Sequence, residues 1–188
     1  PTSSYAQAAA MAMGRAMDDV IITAASATAF TGETGATSTA AQTAIAAGGA
    51  GLTIAKLRTA KQTFDLASVD PSIPRHIVVG PEQITNLLST TEVTSSDFNT
   101  VKALVQGEID SFLGFKFTVS NRLAKSGNDR TCIAFAQDGI TLAIGKDVSA
   151  RIDERADKSY ATQVYYCQSI GATRMEEAKV LGIVCQEA

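Results

Sequence analysis

The sequence has no tryptophan and a single histidine, and only 6% of its 188 residues are aromatic. With His76 alone, any Ser-His-Asp or Cys-His arrangement has one candidate base, and no G-x-S-x-G elbow supplies a nucleophile. Three cysteines, Cys132, Cys167 and Cys185, stand far apart with no C-x-x-C pair. That argues against a disulfide framework and a zinc site, and in favour of buried, reduced thiols. Charge is sparse and nearly balanced, 16 Lys and Arg against 19 Asp and Glu, for a net −3. Such a balance is no footprint for wrapping nucleic acid. No apolar run approaches the roughly 18 residues of a membrane-spanning helix, and no signal peptide is visible. Position 1 is Pro1 rather than methionine, as expected of a processed product or an internal piece of a longer chain.

What the chain does hold in quantity is alanine, threonine and serine, which suit closely packed backbones and broad flat contacts. Hydrophobic residues make up 45% and charged ones 19%, the composition of a folded chain able to bury a sizeable core. Ser4-Tyr5-Ala6-Gln7 fits a capping box, and a long amphipathic helix is expected to follow to about Ala25. Its stripe is Met13, Met17, Val20, Ile21 and Ala24. From Thr28 to Gly51 the chain turns to Gly, Ala, Thr and Ser with almost no charge, which reads as a long loop. Thr53 caps a second helix, in which Lys56, Arg58 and Lys61 read as a solvated basic face. Pro71 and Pro74 end that helix in extended chain.

His76 to Val79 reads as a short buried strand, and Pro81 opens a helix at its first position. A further helix is expected with Phe98, Val101, Leu104 and Val105 inward, ended by Gly107. Then Phe115, Phe117 and Val119 alternate with Lys116, Thr118 and Ser120, the period of a half-buried strand behind a tight turn at Gly114. Cys132 to Ala136 is a strand candidate, Ile140 to Ile144 is ambiguous between strand and short helix, and Val148 to Asp153 reads as extended. Tyr160 to Ile170 is the best long strand, with Tyr160, Thr162, Val164, Tyr166 and Ile170 on one face. Val180 to Val184 closes the chain as an apolar strand. Helices early and strands late point to an α+β fold.

Chemistry is sparse. Asp153-Glu154 and Glu176-Glu177 are adjacent carboxylates that would point to opposite faces of a strand, and they read as solvated turns. Gly48-Gly49-Ala50-Gly51 precedes a helix, but the Walker lysine is missing and no G-x-G-x-x-G follows a strand, so no nucleotide site is expected. The mixed-sign run of Arg151, Asp153, Glu154, Arg155 and Asp157 fits a salt-bridged interface or an exposed hairpin better than a nucleic-acid surface.

Three passages in order, IVVGPEQITNLLS from Ile77, LVQGEIDSFLGFKFTVSNRL from Leu104 and LAIGKDVSARIDERADKSYATQVYYCQSIGATRMEEAKVLGIV from Leu142, resemble the major capsid proteins of tailed bacteriophages, the Hong Kong 97 fold family. The resemblance covers most of the chain. It implies a spine helix over Ser4 to Ala25 and a peripheral domain of residues 1–27 and 137–172. It also implies an axial domain of residues 28–136 and 173–188, with 28–52 a flexible loop. The function it implies is mechanical: copies form pentamers and hexamers that close into an icosahedral head around double-stranded DNA, without sequence-specific binding. The implied partners are the chain itself, with scaffold, portal or decoration proteins as further candidates and no membrane. The implied location is the virion, assembled in the bacterial host cytoplasm. No catalytic residue, cofactor or metal is implied.

The subunit-interface candidates are Arg151, Asp153, Glu154, Arg155 and Asp157, with the loop bearing Gly32 and Gly35. The family's N-terminal arm and extended loop would lie upstream of Pro1; if the molecule lacks them, this polypeptide is expected to fold without forming shells alone. Two other classes stay open: an encapsulin-like compartment enclosing cargo protein, and a small hydrolase or ligand-binding domain built on His76.

Overall fold

The computed structural model describes residues 4–89 and 111–187. The expected helix around Phe98 to Val105 lies outside them. Helix α1 (Ser4–Ser26) runs 23 residues and already includes Ser4, one position earlier than the capping box places it. Helix α2 (Ile54–Leu66) starts where the Thr53 side chain accepts a hydrogen bond from the Lys56 backbone N–H at 3.4 Å. Helix α3 (Pro81–Leu88) opens on its proline, behind an extended Gly80.

Ten strands complete the described chain: β1 (Ala29–Thr31), β2 (Thr37–Thr39), β3 (Arg75–Val79), β4 (Ser111–Phe112), β5 (Phe115–Val119), β6 (Lys125–Ser126), β7 (Asp129–Ala136), β8 (Ile140–Arg155), β9 (Ala161–Arg174) and β10 (Val180–Gln186). A mixed sheet forms the body, in the order β10-β7-β3-β5-β4, with β6 added beside β7. Only the β3–β5 pair is parallel among its neighbours. The β4–β5 turn places Leu113 and Gly114 both at positive φ, 53° and 85°, as a two-residue hairpin requires.

Alternation decides which side of this sheet is covered. Arg75, Ile77 and Val79 of β3 are buried while His76 and Val78 are half-buried. Phe115 and Phe117 are buried between exposed Lys116 and Thr118, as the period predicts, although Val119 at the strand's end is exposed. Helices α2 and α3 supply Leu57, Ala60, Phe64 and Leu87 to the covered side, where Ile77, Phe115, Ala134, Leu181 and Ile183 meet them. The Phe64 and Phe115 rings lie 6.0 Å apart, and the Arg75 guanidinium sits over Phe64. The core of the molecule is this layer.

The long loop expected over Thr28 to Gly51 carries more structure than its composition suggests. β1 and β2 pair as a short hairpin turning through Gly32 and Gly35, and Ile45 bridges Ile183 in parallel. Backbone bonds of 2.9 Å from Ile45 N–H to the Gly182 carbonyl and from Val184 N–H to the Ile45 carbonyl hold that bridge. Gly182 leaves the room it needs, since a Cβ there would lie 3.1 Å from that of Ala44. Lys56 also departs from expectation: it is buried, not part of a solvated face. Its ammonium donates to the carbonyls of Ala50, Gly51 and Val184 at 2.7, 2.9 and 3.0 Å, which satisfies all three of its protons.

Outside the body stands an arm. β8 and β9 pair only with each other, over residues 140–155 and 161–174, with register shifts on either side of Lys146. Ile140 to Ile144 is therefore strand rather than helix, and Asp153-Glu154 lies within β8 rather than in a turn. Helix α1 lies along one face of β9, where the Gln168 side chain donates to the Met13 carbonyl at 3.4 Å. The expected stripe Met13, Met17, Val20, Ile21 and Ala24 is its covered side, but only half-buried. A two-stranded ribbon is too narrow to enclose a helix. Full burial comes only at Ala25, where the helix reaches the body.

Candidate assembly surface

Strand β8 is exposed along nearly its whole length, on both faces. Ile144, Val148 and Ile152 on β8 and Val164 and Tyr165 on β9 are large apolar side chains left in solvent, Ile152 at 70% exposure. A two-stranded ribbon is marginal in water by itself, and here it leaves large apolar residues exposed on both of its faces.

Period two sorts the candidate charges. Arg151 lies opposite Tyr165 and Asp153 opposite Gln163, so these four share a face. With Lys146 and Cys167 they line a shallow depression. Gln168, the contact to α1, has the other parity, so the depression faces away from the helix. Glu154 opposite Thr162 and Ile152 opposite Val164 fall on the helix-side face, toward the hairpin tip. The tip is closed by the Tyr160 N–H donating to the Arg155 carbonyl at 3.0 Å. Arg155 and Asp157 form an ion pair there, with one bond of 2.8 Å from Nε, and the arginine beside Asp157 holds its carboxyl below the usual range. Ser159 and Tyr160 both adopt left-handed backbone, φ 53° and 59°. Tyr160 is thus a turn residue, not the start of the strand, and its ring is exposed.

The candidate set is therefore two places. Arg151, Asp153, Glu154, Arg155 and Asp157 occupy the outer part of the hairpin, while Gly32 and Gly35 sit in the β1–β2 turn. The β1–β2 element is tied to the hairpin's base by Arg174, the last residue of the 14-residue β9.

Arg174 is the buried residue at the hairpin's base that sequence reading missed. It is 4% exposed. Its guanidinium donates to the carbonyls of Ala25 (3.2 Å), Ala27 (2.8 Å) and Thr39 (2.9 Å), joining the end of α1, the segment after it and β2. No sequence signal marks it, since its acceptors are backbone atoms distant in the chain. Around it, the Met175 N–H donates to the Gly139 carbonyl at 2.9 Å, and Lys179 bridges Asp138 and Glu176 at 2.7 and 3.0 Å. Arg122, in the loop after β5, pairs with Asp19 of α1 and depresses its carboxyl pKa. A second buried cluster closes the body: Glu187, 3% exposed, receives Arg130, Lys125 and the Gln83 amide. The bond from Arg130 is the main cause that brings its pKa down from 4.5 to about 2.

Among the described residues, His76 has an aromatic ring and a lysine as its recorded neighbours. Its ring stacks on Phe135 at 5.5 Å, burial lowers its pKa, and Lys116 lowers it further. A neighbouring cation is the reverse of what orients and charges a catalytic base. Cys132 and Cys185 are buried, but Cys167 is only half-buried, with its sulfur 2.9 Å from the Ser149 hydroxyl. Among the described residues, no group of three or more His, Cys, Asp or Glu is placed to hold a metal. No described helix is long and apolar enough to cross a membrane.

The sequence profile of a family described as phage capsid protein matches residues 1–187. None of the curated proteins matches the chain. Among solved structures, one from Mycobacterium phage Che8 superposes with a TM-score of 0.67 at 22% identity, covering 96% of this chain and 63% of that one. The capsid structure of the cyanophage P-SCSP1u gives 0.66 at 16% identity, covering 99% and 67%. The capsid of an empty GTA particle gives 0.67 at 15% identity, covering 97% and 65%. This chain thus spans less than two thirds of the Che8 chain it resembles, and the likeness is one of fold.

Proposed function

This chain belongs to the phage capsid protein family, and we propose that it is the repeating subunit of an icosahedral phage head. Copies gather into pentamers and hexamers that close around double-stranded DNA, in a virion assembled in the host cytoplasm. The observation that carries this reading is the arm. A 16-residue strand exposed on both faces has no core of its own among the described residues, and neighbouring copies would supply one. Repeated interfaces of one polypeptide close into shells by symmetry. Residues 1–27 with 137–172 form the peripheral domain, and residues 28–136 with 173–188 form the axial domain. The contacts between copies use Arg151, Asp153, Glu154, Arg155 and Asp157 at the hairpin, with the Gly32–Gly35 turn as a separate contact near its base.

The work is mechanical rather than enzymatic, as the surroundings of His76 support. The net charge of −3 suits a wall around DNA better than a sleeve on its phosphates. Scaffold, portal and decoration proteins are the further partners of such a shell. Negative-stain electron microscopy of the full-length protein tests the reading. Uniform closed shells are the expected result, and monodisperse small oligomers under all assembly conditions would overturn it. Protein cargo in place of DNA inside native particles would convert the reading to a compartment shell.

A further inference from the structure

Among the described residues, the apolar core of the body reaches the arm only at its base. The buried cluster comprises α2, α3, the central sheet and its loops, and of the arm it takes in Ala25, with Ile22 and Ile140 at its margin. β8 and β9 beyond Ile140 contribute nothing to it. What fixes the arm's direction is therefore the joint at its base. There Gly139 passes so close to the Lys179 carbonyl that a Cβ would lie 2.8 Å from it, and Met175 closes the hairpin onto Gly139.

Arg174 is the hub of that joint. It is buried without a carboxylate partner, bonded instead to three carbonyls from α1's end, the following segment and β2. Among the described residues, its Nε has no hydrogen-bond partner. Three bonds use three of the five guanidinium protons, and burying donors without acceptors costs free energy, so the site is not one that packing alone would choose. Its planar fork fixes the relative orientation of the segments it touches, which a lysine ammonium cannot do. The other tether, Arg122 to Asp19, is half-exposed on both sides and is correspondingly weak.

We propose that Arg174 is a positioning residue for assembly: it sets the angle between arm and body, and through that angle the curvature of the shell. This rests on the reading of the chain as a shell subunit. Leverage makes the angle consequential. The 14 residues of β9 span about 45 Å, so a tilt of about 10° at the base carries the tip through about 8 Å. Contacts at the tip then meet their neighbours at another angle, and closure occurs at another radius or fails.

The test reads the arm first and the shell second, in the full-length protein. Spin labels at K158C on the tip and K61C on α2, in a C167S background, report the arm's angle by pulsed dipolar spectroscopy. With Arg174 in place a narrow distance distribution is expected, and R174K should shift it or broaden it at least twofold. Cryo-electron microscopy should show the same variant forming shells of altered or scattered diameter while its circular dichroism stays native. A folded R174K subunit with the original distance distribution overturns the inference whether or not shells form. Should R174K fail to fold, G139A perturbs the same joint from its other side, and an unchanged distribution and diameter there overturn it equally. Absence of shells from the unsubstituted protein counts instead against the function proposed above.

Discussion

Glu187 shows how much one buried carboxylate can organise. It draws Arg130 from β7, Lys125 from β6 and Gln83 from α3 onto the end of β10. Its folded pKa of about 2 lies below the ordinary value of 4.5. The stabilisation it brings is therefore complete above the ordinary value and drains away as pH falls toward 2. E187Q should cost on the order of 2 kcal/mol near neutrality and flatten the acid limb of stability between those two values. Urea titrations at a series of pH values check this, and an acid limb as steep as that of the unsubstituted protein would refute it. Lys56 makes a parallel case with no carboxylate at all. K56M strands the Gly51 and Val184 carbonyls in the interior, Ala50 keeping the Gln186 N–H as a donor, and a loss of about 2–3 kcal/mol is expected in the same titration. An effect within the error of a surface substitution would mean that water enters and replaces the ammonium.

At the scale of elements, the hairpin carries the sharpest expectation. Arg151 and Arg155 lie on an exposed ribbon, so R151E/R155E should leave circular dichroism and the unfolding midpoint nearly unchanged. It should also abolish shell formation, because the tip then gathers carboxylates around Asp153, Glu154 and Asp157. Normal particles from this double variant would remove the hairpin charges from the interface. The elements themselves were legible to differing degrees. The stripe of α1, the Thr53 cap, Pro81 at the head of α3 and the alternation of β5 are local signals, and each appears where the sequence places it. β1, β2 and the Ile45 bridge were not legible, because short Thr- and Ala-rich stretches carry no periodicity and pair only when a partner edge is supplied. Lys56 was misread for a related reason: one of its acceptors, Val184, lies 128 residues away. Of the interface candidates, the charge run declared an exposed hairpin, while nothing local could announce Arg174.

For the whole molecule, two regions of unequal self-sufficiency follow from where the apolar groups lie. Amides of β3, β7 and β10 share a sheet over a buried core, whereas those of β8 and β9 are covered only in part by α1. Hydrogen exchange in the isolated subunit should therefore run fastest in the hairpin and slowest in the sheet. On assembly the hairpin should slow by at least tenfold while the sheet changes little. Equal protection of both in the isolated subunit would show that the arm needs no neighbours. The register shifts flanking Lys146 bear on another danger. A long strand with a free edge invites open-ended stacking into fibrils. Interruptions of the ladder bend and twist such an edge, so a second ribbon meets two short regular runs, 140–144 and 149–155, instead of one long one along which to zip. Concentrated subunits waiting to be used should therefore stay dispersed and dye-negative for amyloid, and replacing the irregular stretch with a regular one is what would turn storage into precipitation.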